Sequence, residues 1–249
     1  MKLPLLPLSL LGLLLAASAA HAQGLATGQD GAAGQANLQA LTAGAPAVLP
    51  RASSEGLQGS PYVDNRWLPA QISLRSGVSL AAVPLKYDVL DQRLLMRKPG
   101  PALDSLQLDD RLIAGFALLV PATDRAPARR RVFRLFTEAP LAAQRADYVE
   151  VLHEGRYTLL CHPQKSLRKA DMQGAYNAGR RYDEIEDHPI YYLRTPEAAL
   201  LPLKLALKPL QAAAPALAAA LKTAAAAQNP KTDADWAAVL STVDPAPGR

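Results

Sequence analysis

From Ile72 onward, apolar side chains recur at every second position, and this spacing sets what the middle of the chain can become. Ile72 and Leu74 alternate with Gln71, Ser73 and Arg75; Ser76-Gly77 offers a tight turn; Val78 and Leu80 resume the alternation. Neighbouring side chains on an extended strand point to opposite faces, so each run has one apolar and one polar face. Two such runs across a tight turn predict a hairpin. Val83, Leu85, Tyr87 and Val89 continue the period with Lys86 and Asp88 on the other face. Pro84 has no N–H to give a ladder and marks an edge or a bulge.

Further strands are expected at Leu94 to Met96, ended by Pro99-Gly100-Pro101, and at Leu106 and Leu108 before a turn at Asp109-Asp110. Leu112 to Val120 is a longer apolar run, consistent with a central strand buried on both faces, although periodicity alone leaves a helix open. Val132, Phe133, Leu135 and Phe136 follow a basic connection. Tyr148 to His153 and Arg156 to His162 form a hairpin across Glu154-Gly155, with His153 and His162 expected at or near matching positions. Ile190 to Arg194 turns at Thr195-Pro196-Glu197 towards Leu200 to Leu203.

The period then changes. Pro215 suits the first turn of a helix, and Ala216 to Gln228 is nearly all alanine and leucine, strong helix formers. Asn229-Pro230 stops that helix. Thr232 or Asp233 caps a last one, on which Trp236, Val239 and Leu240 share a stripe. The expected fold class is α+β: a mainly antiparallel sheet of about eight to ten strands, a size that tends to curl or become barrel-like, with a small C-terminal helical group.

The start of the chain carries an address. Met1-Lys2 precedes an apolar run from Leu3 to Ala17, and Ala20-His21-Ala22 is the small-x-small pattern that signal peptidase accepts. Cleavage is expected after Ala22. The apolar run is shorter than the about 20 residues of a spanning helix and contains Pro4 and Pro7. The expected organisation is thus a signal peptide over 1–22, a flexible leader over 23–59, an antiparallel β domain over 60–205 and a helical segment over 206–249. Gln23 to Gly59 is read as flexible, with at most a marginal helix around Ala36 to Leu41, because its Gly, Ala, Gln and Ser bury too little surface to offset ordering entropy. The expected location is the periplasm, the outer-membrane surface or the exterior.

Composition narrows the options. Cys161 is the lone cysteine, so no intrachain disulfide forms, and a hydrophobic core must supply stability; 49% apolar residues suffice for that. Without Lys2, 26 basic residues face 22 acidic ones, too small an excess to hold nucleic acid by itself. Aromatic residues make up only 5%, few for the girdles of a membrane β-barrel.

The segments Gly59-Ser60-Pro61-Tyr62 and Val83-Pro84-Leu85-Lys86-Tyr87-Asp88, with Tyr191-Tyr192-Leu193 and Pro202-Leu203-Lys204, resemble a family of uncharacterised exported envelope proteins of Gram-negative bacteria. There a Gly-Ser-Pro-Tyr segment precedes a hairpin and a Pro-Leu-Lys/Arg-Tyr strand, and short helices close the chain. The resemblance implies a shared fold and export and carries no activity or site residues. The alanine-rich tail and the charged loop depart from the pattern.

Candidate chemistry is sparse. Cys161-His162 resembles a thiolate–imidazole pair, but strand neighbours face opposite ways, and a buried thiol is the plainer reading. His153, His162 and His188 lack zinc-site spacing, and exposed hairpin positions account for His153 and His162. Asp183, Glu184, Glu186 and Asp187 lack the glycine and spacing of a calcium loop; Arg180-Arg181 can neutralise them within a surface loop spanning Lys165 to Asp187. No Gly-x-Ser-x-Gly elbow or phosphate loop occurs. No cofactor or metal is expected.

Arg125, Arg129, Arg130, Arg131 and Arg134 form the densest positive stretch, a candidate surface for an envelope protein or an anionic glycan. The favoured function is a non-enzymatic binding or structural module of the envelope; the alternative is a secreted hydrolase or carbohydrate-active enzyme with dispersed carboxylates.

Overall fold

The alternation read from Ile72 becomes β3 (Leu68–Leu74), where Leu68, Ala70 and Ile72 are buried and Pro69, Gln71 and Ser73 are not. The structure, a computed structural model, describes residues 32–48, 57–97, 105–124, 126–170 and 182–245. The expected signal peptide and its cleavage site lie outside them.

Before β3 come α1 (Ala32–Thr42), β1 (Ala47–Val48) and β2 (Leu57–Gln58). After it run β4 (Ser79–Asp88), β5 (Arg93–Arg97), β6 (Ser105–Gln107), β7 (Ile113–Val120) and β8 (Arg129–Leu135). The hairpin of β9 (Tyr148–Glu154) and β10 (Thr158–His162) follows, then β11 (Lys165–Arg168), β12 (Asp183–Asp187), β13 (Ile190–Arg194) and β14 (Leu200–Leu203). The chain closes with α2 (Leu207–Ala213), α3 (Ala218–Gln228) and α4 (Asp233–Val243).

Eleven of the described strands form one antiparallel sheet in the order β1-β6-β5-β4-β3-β7-β8-β9-β10-β13-β14. β1 and β14 are its two ends and do not pair, so the sheet is open. The fold is α+β and mainly antiparallel, as the strand periods imply. β7 occupies the centre, consistent with its near-continuous apolar run. Pro84 stands opposite Pro69 of β3, near a register shift in that pair, and just past the last β4–β5 pair, Leu85 with Met96.

Three clusters bury the apolar faces. The first gathers the rings of Tyr87, Phe116, Phe133 and Tyr148, with Phe116 stacked on Phe133 at 4.8 Å. The second lies under the C-terminal helices, where Leu159, Leu193, Leu210, Leu221, Val239 and Leu240 are fully buried. The third, on the opposite face, holds Phe136, Val149, Leu160 and Tyr192.

Two expectations are corrected. The reading of 23–59 as a flexible leader fails for residues 32–48, because Leu41 of α1 is 1% exposed and joins the first cluster with Leu38 against it. Burying one leucine contributes about 1.5–3 kcal/mol, enough to dock a helix whose own composition is weak. The Lys165 to Asp187 loop contains two paired strands. β11 and β12 run antiparallel, Lys165 opposite Asp187 and Arg168 opposite Glu184, and β2 adds to β12 in parallel. Residues 171–181 of that stretch, Arg180 and Arg181 included, lie outside the described residues. Among the described residues, three of the four acids have basic partners: Lys165 pairs with Asp187, and Arg168 reaches Glu184 at 2.6 Å and Glu186 at 2.9 Å.

The Gly-Ser-Pro-Tyr segment laces onto the end of β4. Val63 N–H donates to Tyr87 O at 3.0 Å, and Val89 N–H to Pro61 O at 2.9 Å. Gly59 has φ +83°, and a Cβ there would run into the Ile185 carbonyl, so only glycine lets this segment cross β12.

Candidate functional site

From Arg129 onward the arginine stretch is a strand and not a surface loop. β8 lies between β7 and β9, with Arg129 opposite Val120 and Arg130 opposite Leu119. Alternation therefore divides the arginines among different surroundings. Arg131 shares a face with Phe133, its guanidinium 5.4 Å from the ring centroid. Its Nε and Nη2 donate to the two carboxylate oxygens of Glu150 at 2.8 and 2.6 Å. The two side chains are 12% and 5% exposed. Burial is the largest influence and works against the Arg131 charge. The Glu150 hydrogen bond and charge, with Asp233 and Asp64 further off, outweigh it and hold the pKa above its ordinary value. Arg134, on the other face, is bound by Glu138. Arg129 and Arg130 are exposed and have no ion-pair partner among the described residues, and Arg125 lies outside them. Of the four described arginines of that stretch, Arg131 and Arg134 are engaged by acids, and Arg129 and Arg130 have no ion-pair partner among the described residues.

The Arg131–Glu150 pair opens a polar seam across the helix-bearing face of the sheet. Glu150 is opposite Cys161, Cys161 opposite Tyr191, and Tyr191 opposite Leu203. Burial pushes the Cys161 thiol up to about 12, and the nearby Glu150 and Asp233 carboxylates add to the shift. Burial likewise pushes the Tyr191 phenol up to about 12. Both groups are protonated at neutral pH, and they stand opposite each other across the β10–β13 pair. A thiol that stays protonated is a poor nucleophile. His162 gives it no help, since it projects from the other face of β10.

The seam ends in a cleft of 420 Å³ between β13, the end of β14 and the first turn of α4. Tyr191, Leu203 and Trp236 line its inner part, and Lys204, Lys231 and Asp233 its polar part. A second cleft of 310 Å³ sits between the end of α1 and the β6–β7 connection. Burial raises the Asp110 carboxyl there to about 6, and its buried Oδ1 has no hydrogen-bond partner among the described residues.

No family model, curated protein or solved structure matches this chain. The residues themselves must carry any functional argument.

The histidines were expected on exposed, matching positions of the β9–β10 hairpin, and neither expectation holds. His153 is opposite Leu159, whereas His162 is opposite Ile190 at the other end of β10; they are 5% and 0% exposed. A register shift between Leu159 and Leu160 adds to their separation. Each histidine meets its own carboxylate, and no group of three His, Cys, Asp or Glu able to hold a metal occurs among the described residues.

His153 was not expected to meet Ser241 and Asp244, yet its Nδ1 is 3.2 Å from Ser241 Oγ and its Nε2 is 3.2 Å from Asp244 Oδ2. These residue types form hydrolytic triads, but here Ser241 Oγ also lies 2.8 Å from Ala237 O as a donor within α4. Asp244 additionally accepts from Tyr157 N–H at 2.8 Å and Arg156 N–H at 3.3 Å. Gly155 makes room: a Cβ there would come within 2.6 Å of Asp244. The arrangement clamps the end of α4 to the hairpin. Partners 88 to 91 residues apart leave no local signal in sequence.

His162 Nε2 lies 3.0 Å from Asp147 Oδ2, and Gln164 donates to its Nδ1 at 3.3 Å. Burial lowers the His162 pKa despite the opposing pull of Asp147. The folded state thus binds its proton less readily than the unfolded chain, whose histidine titrates at about 6.5. This contribution to stability is complete above that pH and is lost as pH falls through it, by at most about 1.4 kcal/mol per pH unit. Urea titrations from pH 8 to 5 should show this slope, and His162→Gln should flatten it. Equal slopes in both proteins would show that His162 does not control the acid limb.

Proposed function

We propose that this chain is an exported protein of the bacterial envelope, acting as a non-enzymatic binding or structural module. Export is supported by the charged start, apolar run and Ala20-His21-Ala22 pattern, and the envelope assignment by the family resemblance. The observation that carries the binding reading is how charged groups are distributed over β8 and its neighbours. Glu150 is occupied by Arg131, Glu138 by Arg134, Asp147 by His162 and Asp244 by His153, while Cys161 is kept protonated. Arg129 and Arg130 alone of the described arginines on β8 are left exposed and unpaired.

Two adjacent guanidinium groups suit the carboxylates of an acidic protein face or the anionic groups of an envelope glycan. Such contacts lie near the surface and weaken with salt. Arg129→Ala/Arg130→Ala is expected to cut recovery of envelope partners in affinity capture several-fold at low salt, with melting unchanged. Undiminished recovery removes this surface from consideration. Fractionation tests the address separately: the chain should be found outside the cytoplasm beginning at Gln23, and a cytosolic chain retaining Met1 refutes export.

A further inference from the structure

We infer that the cleft between β13, β14 and α4 is a binding site for a small amphipathic monocarboxylate, an aliphatic chain bearing one carboxylate. Its 420 Å³ lies within the range of about 300–1,000 Å³ occupied by small-molecule sites. Ile190, Leu203 and Leu205 contribute aliphatic surface, and Tyr191 and Trp236 contribute rings. Trp236 is 8% exposed and belongs to the second core cluster, so this wall is held by packing and is ready before a ligand arrives.

The charge of the lining selects the ligand. Lys204 and Lys231 are exposed and have no ion-pair partner among the described residues. Asp233 is the single acid of the lining, and its charge is felt by Arg131 in the seam behind. Two ammonium groups against one carboxylate leave one positive charge, which one carboxylate of a ligand neutralises. A cation would meet two lysines, and a neutral chain would leave that one positive charge without a counter-charge. The aliphatic wall requires the rest of the ligand to be apolar, since a polar body would lose its hydration there without gaining partners. This site is separate from the Arg129–Arg130 surface and does not rest on the envelope reading.

The test is isothermal titration of the purified chain with octanoate, octanol and octylamine. Octanoate should bind at least about tenfold more tightly than either of the others, a ratio that measures the charge contribution directly. Lys204→Met/Lys231→Met should weaken octanoate by at least about tenfold. Both lysines are exposed and have no ion-pair partner among the described residues, so the variant should melt as the parent does. Arg129→Ala/Arg130→Ala should leave octanoate binding intact even if it abolishes partner capture. Octanol binding as tightly as octanoate, an unaffected double-lysine variant, or no octanoate binding at millimolar concentration would each overturn the site. Tighter binding of a short peptide ending in leucine than of octanoate would overturn the ligand class.

Discussion

Glu150→Ala is expected to lower folding stability by about 3–5 kcal/mol, because it strands a buried arginine. Arg131 is 12% exposed and gives two hydrogen bonds to Glu150; among the described residues it also makes a longer bond to Val63 O at 3.4 Å and lies over the Phe133 ring. Removing the carboxylate leaves the buried guanidinium with only these weaker contacts and the more distant charges of Asp233 and Asp64. The pair as a whole is a different quantity. Desolvating both ions costs about as much as their attraction returns, so replacing both by apolar residues is close to neutral. Arg131→Met/Glu150→Leu should therefore recover most of the loss. The measurement is the shift in urea midpoint for each single variant and the double. A Glu150→Ala loss below about 1 kcal/mol would mean that water reaches the guanidinium and that the seam is open there.

Asp244→Ala is expected to cost about 3 kcal/mol, with the damage concentrated at the C-terminal end of α4. One carboxylate, 3% exposed, serves the N–H groups of Arg156 and Tyr157 and the ring of His153. Each buried donor left without an acceptor costs about 1–3 kcal/mol, and the loops here allow partial relief by water. Amide exchange should accelerate in α4 and at the β9–β10 turn while the first core cluster stays protected. Asp244→Asn keeps one acceptor oxygen and should fall between the two. Uniform acceleration across the sheet would show that the clamp supports the whole fold instead of its last helix.

Several elements were legible because their information is local. Ile72, Leu80, Leu85 and Tyr87 stand two apart or across a tight turn, and all are buried. Leu112 to Val120 reads as a central strand because β7 needs apolar residues towards both faces. At α4 the cap is Thr232: its hydroxyl accepts from Asp235 N–H, and the Asp235 side chain accepts from the Thr232 N–H. Trp236, Val239 and Leu240 form the buried stripe that their spacing implies.

The misreadings share one cause. A run of arginines looks like a solvated loop because charge usually marks surface, yet on β8 a two-residue period sends Arg131 inward to an acid 19 positions away. The charged stretch from Lys165 forms strands because its basic side chains stand opposite acids on β12. α1 is held by Leu41 packing on a sheet that did not exist in its neighbourhood of sequence.

Period, turn residues and caps act between positions two to four apart, so the sequence alone determined the strand-rich middle, the helical end and the open question of chemistry. Which acid each arginine or histidine meets depends on contacts between residues tens of positions apart, and those exist only once the sheet has ordered its strands. Tertiary structure therefore decided the seam, the clamp and the cleft. It did so because a buried charge must take the partner that the fold brings to it.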